Sequence, residues 1–324
     1  MNGIFQFITE NLWFICTILT IFTWGAGEFF YKVGNDYEDD YSSSRTVVMV
    51  GLFFGLYVLV YYVMIQHFSY DWSSFLTYLP VSAAYIISMW LGYIGLRYLE
   101  VSIVGPVSNA SGAVSALFLV LFAGQKISWL AWVAIILVTL GILIISRGED
   151  SEMKERAENA ENVEEEKRYR IGAIAILFPI GYMIFDSLGT FFDGIVLDAH
   201  ELTIFGNTIH WALDEDQAQM SYMLTFFFLG LLVFLWLTFV KKQKWSFGGE
   251  KSRATAAILE TIGQVFYVFA MTGASVLAAP LIASYAVFSV VLGHIFLKER
   301  LKPLAYVAVI LVVIGTIIIG VYDY

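Results

Sequence analysis

The sequence predicts an all-α membrane protein: ten transmembrane helices, arranged as two inverted five-helix repeats around a central cavity. Three observations lead there. The chain holds ten apolar stretches of spanning length, one highly charged segment divides them five and five, and the two halves align with each other over gapless runs.

Composition sets the class. Of 324 residues, 59% are hydrophobic and 14% charged, with a mean hydropathy of +0.74. A soluble domain is about 25% charged and roughly 45–50% apolar, because a globule must still show water a polar skin. This excludes a soluble enzyme, a nucleic-acid binder and a secreted disulfide-stapled domain. The net charge of −10 disfavours nucleic acid a second time. The single cysteine, Cys16, lies in an apolar run and offers neither a disulfide framework nor a Cys-based metal site. Residues 1–11 contain no Lys or Arg, unlike the basic start of a secretory signal, so the first span is expected to be retained.

A helix crosses a hydrocarbon core of about 30 Å with about 20 apolar residues. The spans are expected at 12–33, 46–66, 74–98, 101–123, 128–146, 171–193, 220–240, 254–272, 275–297 and 304–321. They are too long and too uniformly apolar for barrel strands, and lipid tolerates no unpaired backbone. The first span runs through Trp24 and Glu28 to Lys32, and the second follows Arg45. Only Arg97 and Glu100 mark the break between the third and fourth. The fourth holds Gly105-Pro106, and the fifth follows the turn GQKIS (124–128). Then comes RGEDSEMKERAENAENVEEEKRYR (147–170), too charged to bury a core of its own and read as a solvated linker or exposed helix. The sixth span carries Tyr182 and Asp186, a polar loop (194–219) precedes the seventh, the eighth is centred near Glu260, the ninth contains Pro280, and KERLKP (298–303) leads into the tenth. The domains are therefore a first repeat at 1–146, a charged cytoplasmic linker at 147–170, and a second repeat at 171–324 with an external loop at 194–219.

Lys and Arg are retained on the cytoplasmic side of membrane proteins. Seventeen of the 18 basic residues fall in the odd-numbered loops, leaving Lys126 alone on the opposite side. Both termini are thus expected outside the plasma membrane.

Shifted by 174 positions, the halves superpose Pro106 on Pro280, Ser115 on Ser289, Tyr93 on Tyr267 and Gly141 on Gly315, and LAWVAIILV (130–138) on LAYVAVILV (304–312). At an offset of 158, Trp24 to Glu28 lies over Tyr182 to Asp186, an aromatic followed four residues later by an acid. An odd number of spans per repeat turns the second copy upside down, as is typical of secondary transporters, with a site near the midplane between the copies.

Five plus five spans, the Trp24-Gly25 start of a small-residue stretch, the Pro-bearing fourth and ninth helices and the KERLKP turn resemble the drug/metabolite transporter superfamily, EamA-type, over nearly the whole chain. The first-half turn departs, with Gln125 where that family usually has Glu. The resemblance implies ten helices around a cavity and export or import of small metabolites, often by exchange or with protons. Members are described with both termini in the cytoplasm, whereas the charge distribution here places them outside.

Ionisable groups within a span are costly and need a reason. Glu28, Asp186 and Glu260 are expected to line the cavity, attracting a cationic group or exchanging a proton with substrate. Hydrated positions at the cavity mouths are the alternative. Asp193 reads as a loop residue at the membrane boundary. No Lys or Arg lies inside a span, which disfavours a phosphate or carboxylate substrate and favours an organic cation, a zwitterion or a neutral polar metabolite. Trp24, Trp90, Tyr93, Tyr182, Tyr267 and Tyr285 lie deep enough to offer aromatic faces to an ammonium group. Asn109 and Gln264 add polar groups, and Trp72, Trp129 and Trp245 suit interfacial belts. His67, His200, His210 and His294 have no metal-ligand spacing, and no metal or cofactor is expected. A small-molecule substrate and membrane lipid are the expected partners, with no nucleic acid, and a monomer is favoured. A flippase for a lipid-linked head group shares the architecture. A membrane-embedded transferase is the remaining alternative, but it needs clustered acids at the membrane surface for metal and phosphate, and none is evident.

Overall fold

A computed structural model of the chain describes residues 12–36, 39–99, 104, 107–108, 110–124, 126–141, 144, 175, 177–197, 201–204, 207–210, 212–246, 248–272 and 274–297, with positions 303, 306–307, 310–311, 314–315 and 318 of the last span. The linker 147–170, Gly105-Pro106, Asn109 and the turn 298–302 lie outside the described residues. The helices are α1 (Leu12–Gly34), α2 (Ser42–Tyr57, continued as a π-helical stretch Val58–Ile65), α3 (Trp72–Tyr98), α4 (Ser111–Phe122), α5 (Trp129–Gly141) and α6 (Leu177–Leu197). They continue with α7 (Glu215–Leu235, π-helical over Trp236–Val240), α8 (Lys251–Met271), α9 (Ser275–Ile282) and α10 (Tyr285–Leu292, π-helical over Gly293–Leu297). Among the described residues, seven helices are long and apolar enough to cross a membrane, α9 and α10 together counting as one. The chain is an integral membrane protein.

Among the described residues the helix class is interrupted once. Strands β1 (Glu201–Ile204) and β2 (Asn207–His210) form an antiparallel hairpin with Glu201 opposite His210, inside the loop expected between the sixth and seventh spans.

α3 and α7 start earlier than the apolar pattern suggests, because acids cap them. The Asp71 carboxylate accepts from the Ser73 amide at 2.9 Å, and Asp214 accepts from the Gln217 amide at 2.9 Å. An N-terminal turn rich in Asp and Glu looks like loop in a hydropathy plot, yet it complements the exposed amides of a helix start. α7 therefore begins at Glu215 rather than 220. In the same way α6 runs four residues past the expected end, which places Asp193 inside a helix with no exposed surface.

Each long helix of one half packs on one from the other. α1 lies along α8, α3 along α6, and α2 along α7, with further contacts of α7 with α3, α8 with α2, α10 with α1, α4 with α6 and α9 with α4. The core fills with Val47, Val50, Phe54, Tyr62, Tyr222, Met223, Phe226 and Leu237 between α2 and α7. Gly51 and Gly230 let those backbones touch: a β-carbon on Gly51 would stand 2.8 Å from the Phe226 carbonyl oxygen, and one on Gly230 3.0 Å from the Gly51 α-carbon. Outward faces stay apolar, with Phe22, Leu59, Leu76, Leu232 and Phe239 exposed, as a lipid solvent requires.

The ends of α2 and α7 are built alike. The Gln66 amide donates to the Tyr61 carbonyl at 2.8 Å and the Phe68 amide to Tyr62 at 2.9 Å, around His67 at φ +48°. In α7 the Lys241 amide donates to Trp236 at 3.0 Å and the Gln243 amide to Leu237 at 2.9 Å, around Lys242 at φ +53°. The left-handed residue turns the chain back so that the last carbonyls stay paired.

One end of the bundle is stapled by charge. Arg45, Arg253 and Glu250 are buried there. Arg45 Nη1 lies 3.2 Å from Glu250 Oε1, Arg253 Nη1 lies 2.9 Å from Glu250 Oε2, and Arg45 Nε lies 3.1 Å from Asp39 Oδ2. At this end Lys32 Nζ donates to the carbonyls of Leu96 (2.9 Å) and Leu99 (2.6 Å), closing the C-terminus of α3. Trp245 is drawn into the cluster with the Arg45 guanidinium 5.0 Å from its ring, whereas Trp72 and Trp129 are exposed in the manner of an interfacial belt. The other end is held by hydrogen bonds such as Tyr62 to Asp216 (2.9 Å) and Tyr70 with Ser221 (2.7 Å).

Candidate functional site

Between the halves lies a cavity of about 90 Å³, walled by α1, α3, α4, α6, α7, α8, α9 and Tyr285 at the start of α10. A water needs about 10–15 Å³ of such space, so the cavity has room for several waters or one small organic molecule. The helical repeat decides which side chains reach it. On α8, Glu260, Gln264 and Tyr267 stand at i, i+4 and i+7; on α3, Tyr85, Met89, Gly92, Tyr93 and Leu96 share one face.

Of the residues singled out in the sequence, Trp24, Glu28, Tyr93, Tyr182, Asp186, Glu260, Gln264, Tyr267 and Tyr285 all line this cavity. Trp90 does not: it is partly buried and packs against the hydrophobic core. At 100° per residue it sits about 115° around α3 from the middle of the lining face. The lining also includes Tyr31, Tyr85, Met89, Thr190 and Tyr222, which the sequence reading did not select, together with Ser108 and Ser111 of the polar stretch that follows Pro106 in the sequence. For Tyr85 and Met89 on α3 and Thr190 on α6 the signal was available in the spacing, but tyrosine in a span looks the same whether it faces lipid, a neighbouring helix or a cavity.

Among the described residues, three carboxylates face the cavity and no Lys or Arg lines it. Asp186 Oδ2 accepts a hydrogen bond from Ser111 Oγ on α4 at 2.6 Å. Glu28 Oε2 accepts one from Ser289 on α10. No described residue donates to the carboxylate of Glu260, which is 7% exposed.

The aromatic wall is seated on glycines. Trp24 fits against Gly263 of α8, donates from Nε1 to the Glu260 carbonyl at 3.4 Å, and stacks on Tyr267 with centroids 5.0 Å apart at 26°. Tyr182 fits against Gly92 of α3, where a β-carbon would stand 2.8 Å from its ring. Tyr285 meets Trp24 edge-on at 5.9 Å.

Asp193 is a further buried acid, placed behind the cavity rather than in a loop. Tyr78 donates to its Oδ1 at 2.5 Å and Tyr85 lies 3.4 Å from its Oδ2. The Tyr85 hydroxyl is 2.5 Å from that of Tyr267, so a chain of hydroxyls joins Asp193 to the aromatic wall.

Where α9 meets α10 the helix breaks at Ala283–Ser284, three residues after Pro280, and the Ser284 amide bonds back to Leu281 at 2.9 Å. Gly112 of α4 abuts this break, a β-carbon there standing 2.6 Å from the Ala279 carbonyl oxygen.

Residues 11–147 and 204–321 match the EamA-like transporter family. No curated protein matches the chain. Among solved structures 28 chains match. One, a crystal structure of a protein, aligns with a TM-score of 0.59 at 12% identity, covering 97% of this chain and 98% of that one. At that identity the likeness concerns the fold alone.

Proposed function

The chain belongs to the EamA-like transporter family of the drug/metabolite transporter superfamily, and we propose from that premise that it is a secondary transporter of a small polar or cationic metabolite. It works by alternating access, through exchange or with protons, its partners being that solute and the surrounding lipid. The observation that carries the reading is the internal cavity with three carboxylates and, among the described residues, no basic one in its lining.

The pairing of helices supports a duplicated, inverted unit. Exchanging α1 with α6, α2 with α7, α3 with α8 and α4 with the α9–α10 pair maps the eight packed helix pairs named above onto one another. The cross-half serine bonds of Glu28 and Asp186, the aromatics lodged against Gly263 and Gly92, and the like-built ends of α2 and α7 follow the same exchange. Two similar bundles meeting at a central site have the geometry for rocking between two openings. The end rich in Lys and Arg faces the cytoplasm and both termini lie outside the plasma membrane; Tyr324→Cys should be labelled by an impermeant thiol reagent on intact cells.

The test uses the single native thiol. In a Cys16→Ala background, Gln264→Cys should react with an impermeant reagent applied from either face of sealed vesicles. Reaction from one face only, or from neither, removes alternating access.

A further inference from the structure

The three cavity carboxylates are not equivalent. Glu28 and Asp186 each take a hydroxyl donor from a helix of the other half, Ser289 and Ser111 respectively. A carboxylate can accept about four hydrogen bonds, and in a dry site one left without any donor is costly. Glu260 is in that position among the described residues: 7% exposed, facing the cavity, its carboxylate given no donor. The nearest indole N–H, that of Trp24, is directed to the backbone carbonyl of Glu260 itself, at 3.4 Å. This holds the indole ring beside the acid, where it stacks on Tyr267 and meets Tyr285 edge-on.

We propose that Glu260 is the anchor of the transported solute, and that the solute is a monovalent primary or secondary ammonium compound whose N–H groups satisfy this carboxylate while its body lies against Trp24 and Tyr267. The inference rests on the transporter reading of the cavity and narrows its substrate class. An N–H-bearing cation supplies both the charge and the donors that Glu260 lacks. A quaternary ammonium supplies charge alone, and would draw only on the aromatic faces. A dication calls for a second uncommitted acid, and the other two already hold serine hydroxyls.

The test is equilibrium binding to the full chain in lipid nanodiscs at neutral pH, with benzylammonium, benzyltrimethylammonium, benzyl alcohol and benzoate as probes. Benzylammonium should bind saturably and about tenfold or more tighter than the other three. Glu260→Gln should weaken it about tenfold or more, and further than Glu28→Gln or Asp186→Asn does. Glu260→Asp, which keeps the charge, should recover part of the affinity and so separates loss of the anchor from loss of the fold. Equal binding of the quaternary or neutral probe overturns the proposal, as does absence of benzylammonium binding. So does a Glu260→Gln variant that binds as the parent does, or one that binds no more weakly than Glu28→Gln or Asp186→Asn. Any of these results with Gln264→Cys still reachable from both faces leaves the transporter reading standing; one-sided labelling removes that reading whatever the probes do.

Discussion

Asp186 on α6 accepts a hydrogen bond of 2.6 Å from Ser111 on α4, a contact that joins the second half of the chain to the first. Ser111→Ala takes this donor from the part-buried acid and leaves it those of Ser88 and Tyr182. Losing one hydrogen bond to a charged group costs about 1.5–3 kcal/mol. The melting temperature of the detergent-solubilised protein should fall accordingly. Combining Ser111→Ala with Asp186→Asn should cost less than the two single losses added together. Strict additivity would mean that the pair does not interact.

The opposite partner in this arrangement is Ser289, whose hydroxyl reaches Glu28. If both serines act as interlocks between bundles, Ser289→Ala should change the rate at which Gln264→Cys is labelled from one face relative to the other. A uniform change in both rates would mark a purely local packing effect.

The acids of the cavity were legible because a charge inside an apolar run is conspicuous and expensive. Trp24 with Glu28 and Tyr182 with Asp186 stand out in any hydropathy reading, and all four reach the cavity. Rotation about a helix axis is far less legible. Trp90 and Tyr93 are three residues apart on α3, and only Tyr93 lines the cavity, since Gly92 admits Tyr182 on that face while Trp90 turns into the core. Asp193 was misplaced for another reason. The eye ends a span where polar residues return, but Tyr78 and Tyr85 on α3 supply donors that let α6 carry its acid inward.

The charged staple at the basic end holds α2, α8 and the segment before α8 together through Arg45, Glu250 and Arg253. Removing one member of a buried pair leaves its partners uncompensated, at about 3–5 kcal/mol. For alternating access this end must open, so the staple has to yield. Glu250→Gln should therefore speed labelling of Gln264→Cys from the basic side and slow it from the other. A drop in stability with no shift between faces would make the cluster structural only.

At the α2–α7 contact there is no room for a side chain. A β-carbon on Gly51 would stand 2.8 Å from the Phe226 carbonyl oxygen, which belongs to a rigid helix backbone. Gly51→Leu should cost about 1–3 kcal/mol or more by overpacking and reduce the yield of folded protein. Gly248→Ala is the matched control, because nothing lies within 4 Å of its added carbon. Equal yields from the two variants would mean that the helices separate freely at this point.

Asp193 offers the sharpest contrast between a buried acid that is satisfied and one that is not. It has no exposed surface, and Tyr78 donates to it at 2.5 Å while Tyr85 lies 3.4 Å from its other oxygen. Tyr78→Phe removes the shorter of these bonds to a buried charged group, so it should destabilise the protein by about 1.5–3 kcal/mol. Asp193→Asn should cost less, because an amide oxygen still accepts from Tyr78 and carries no charge to strand. The double change Tyr78→Phe with Asp193→Leu should recover part of the Tyr78→Phe loss, since replacing both polar partners removes the under-satisfied buried charge. Thermal unfolding of the variants in one detergent orders them. If Tyr78→Phe proves the mildest of the set, the acid finds its donors elsewhere and the hydroxyl chain through Tyr85 to Tyr267 is not what keeps α6 buried at this end.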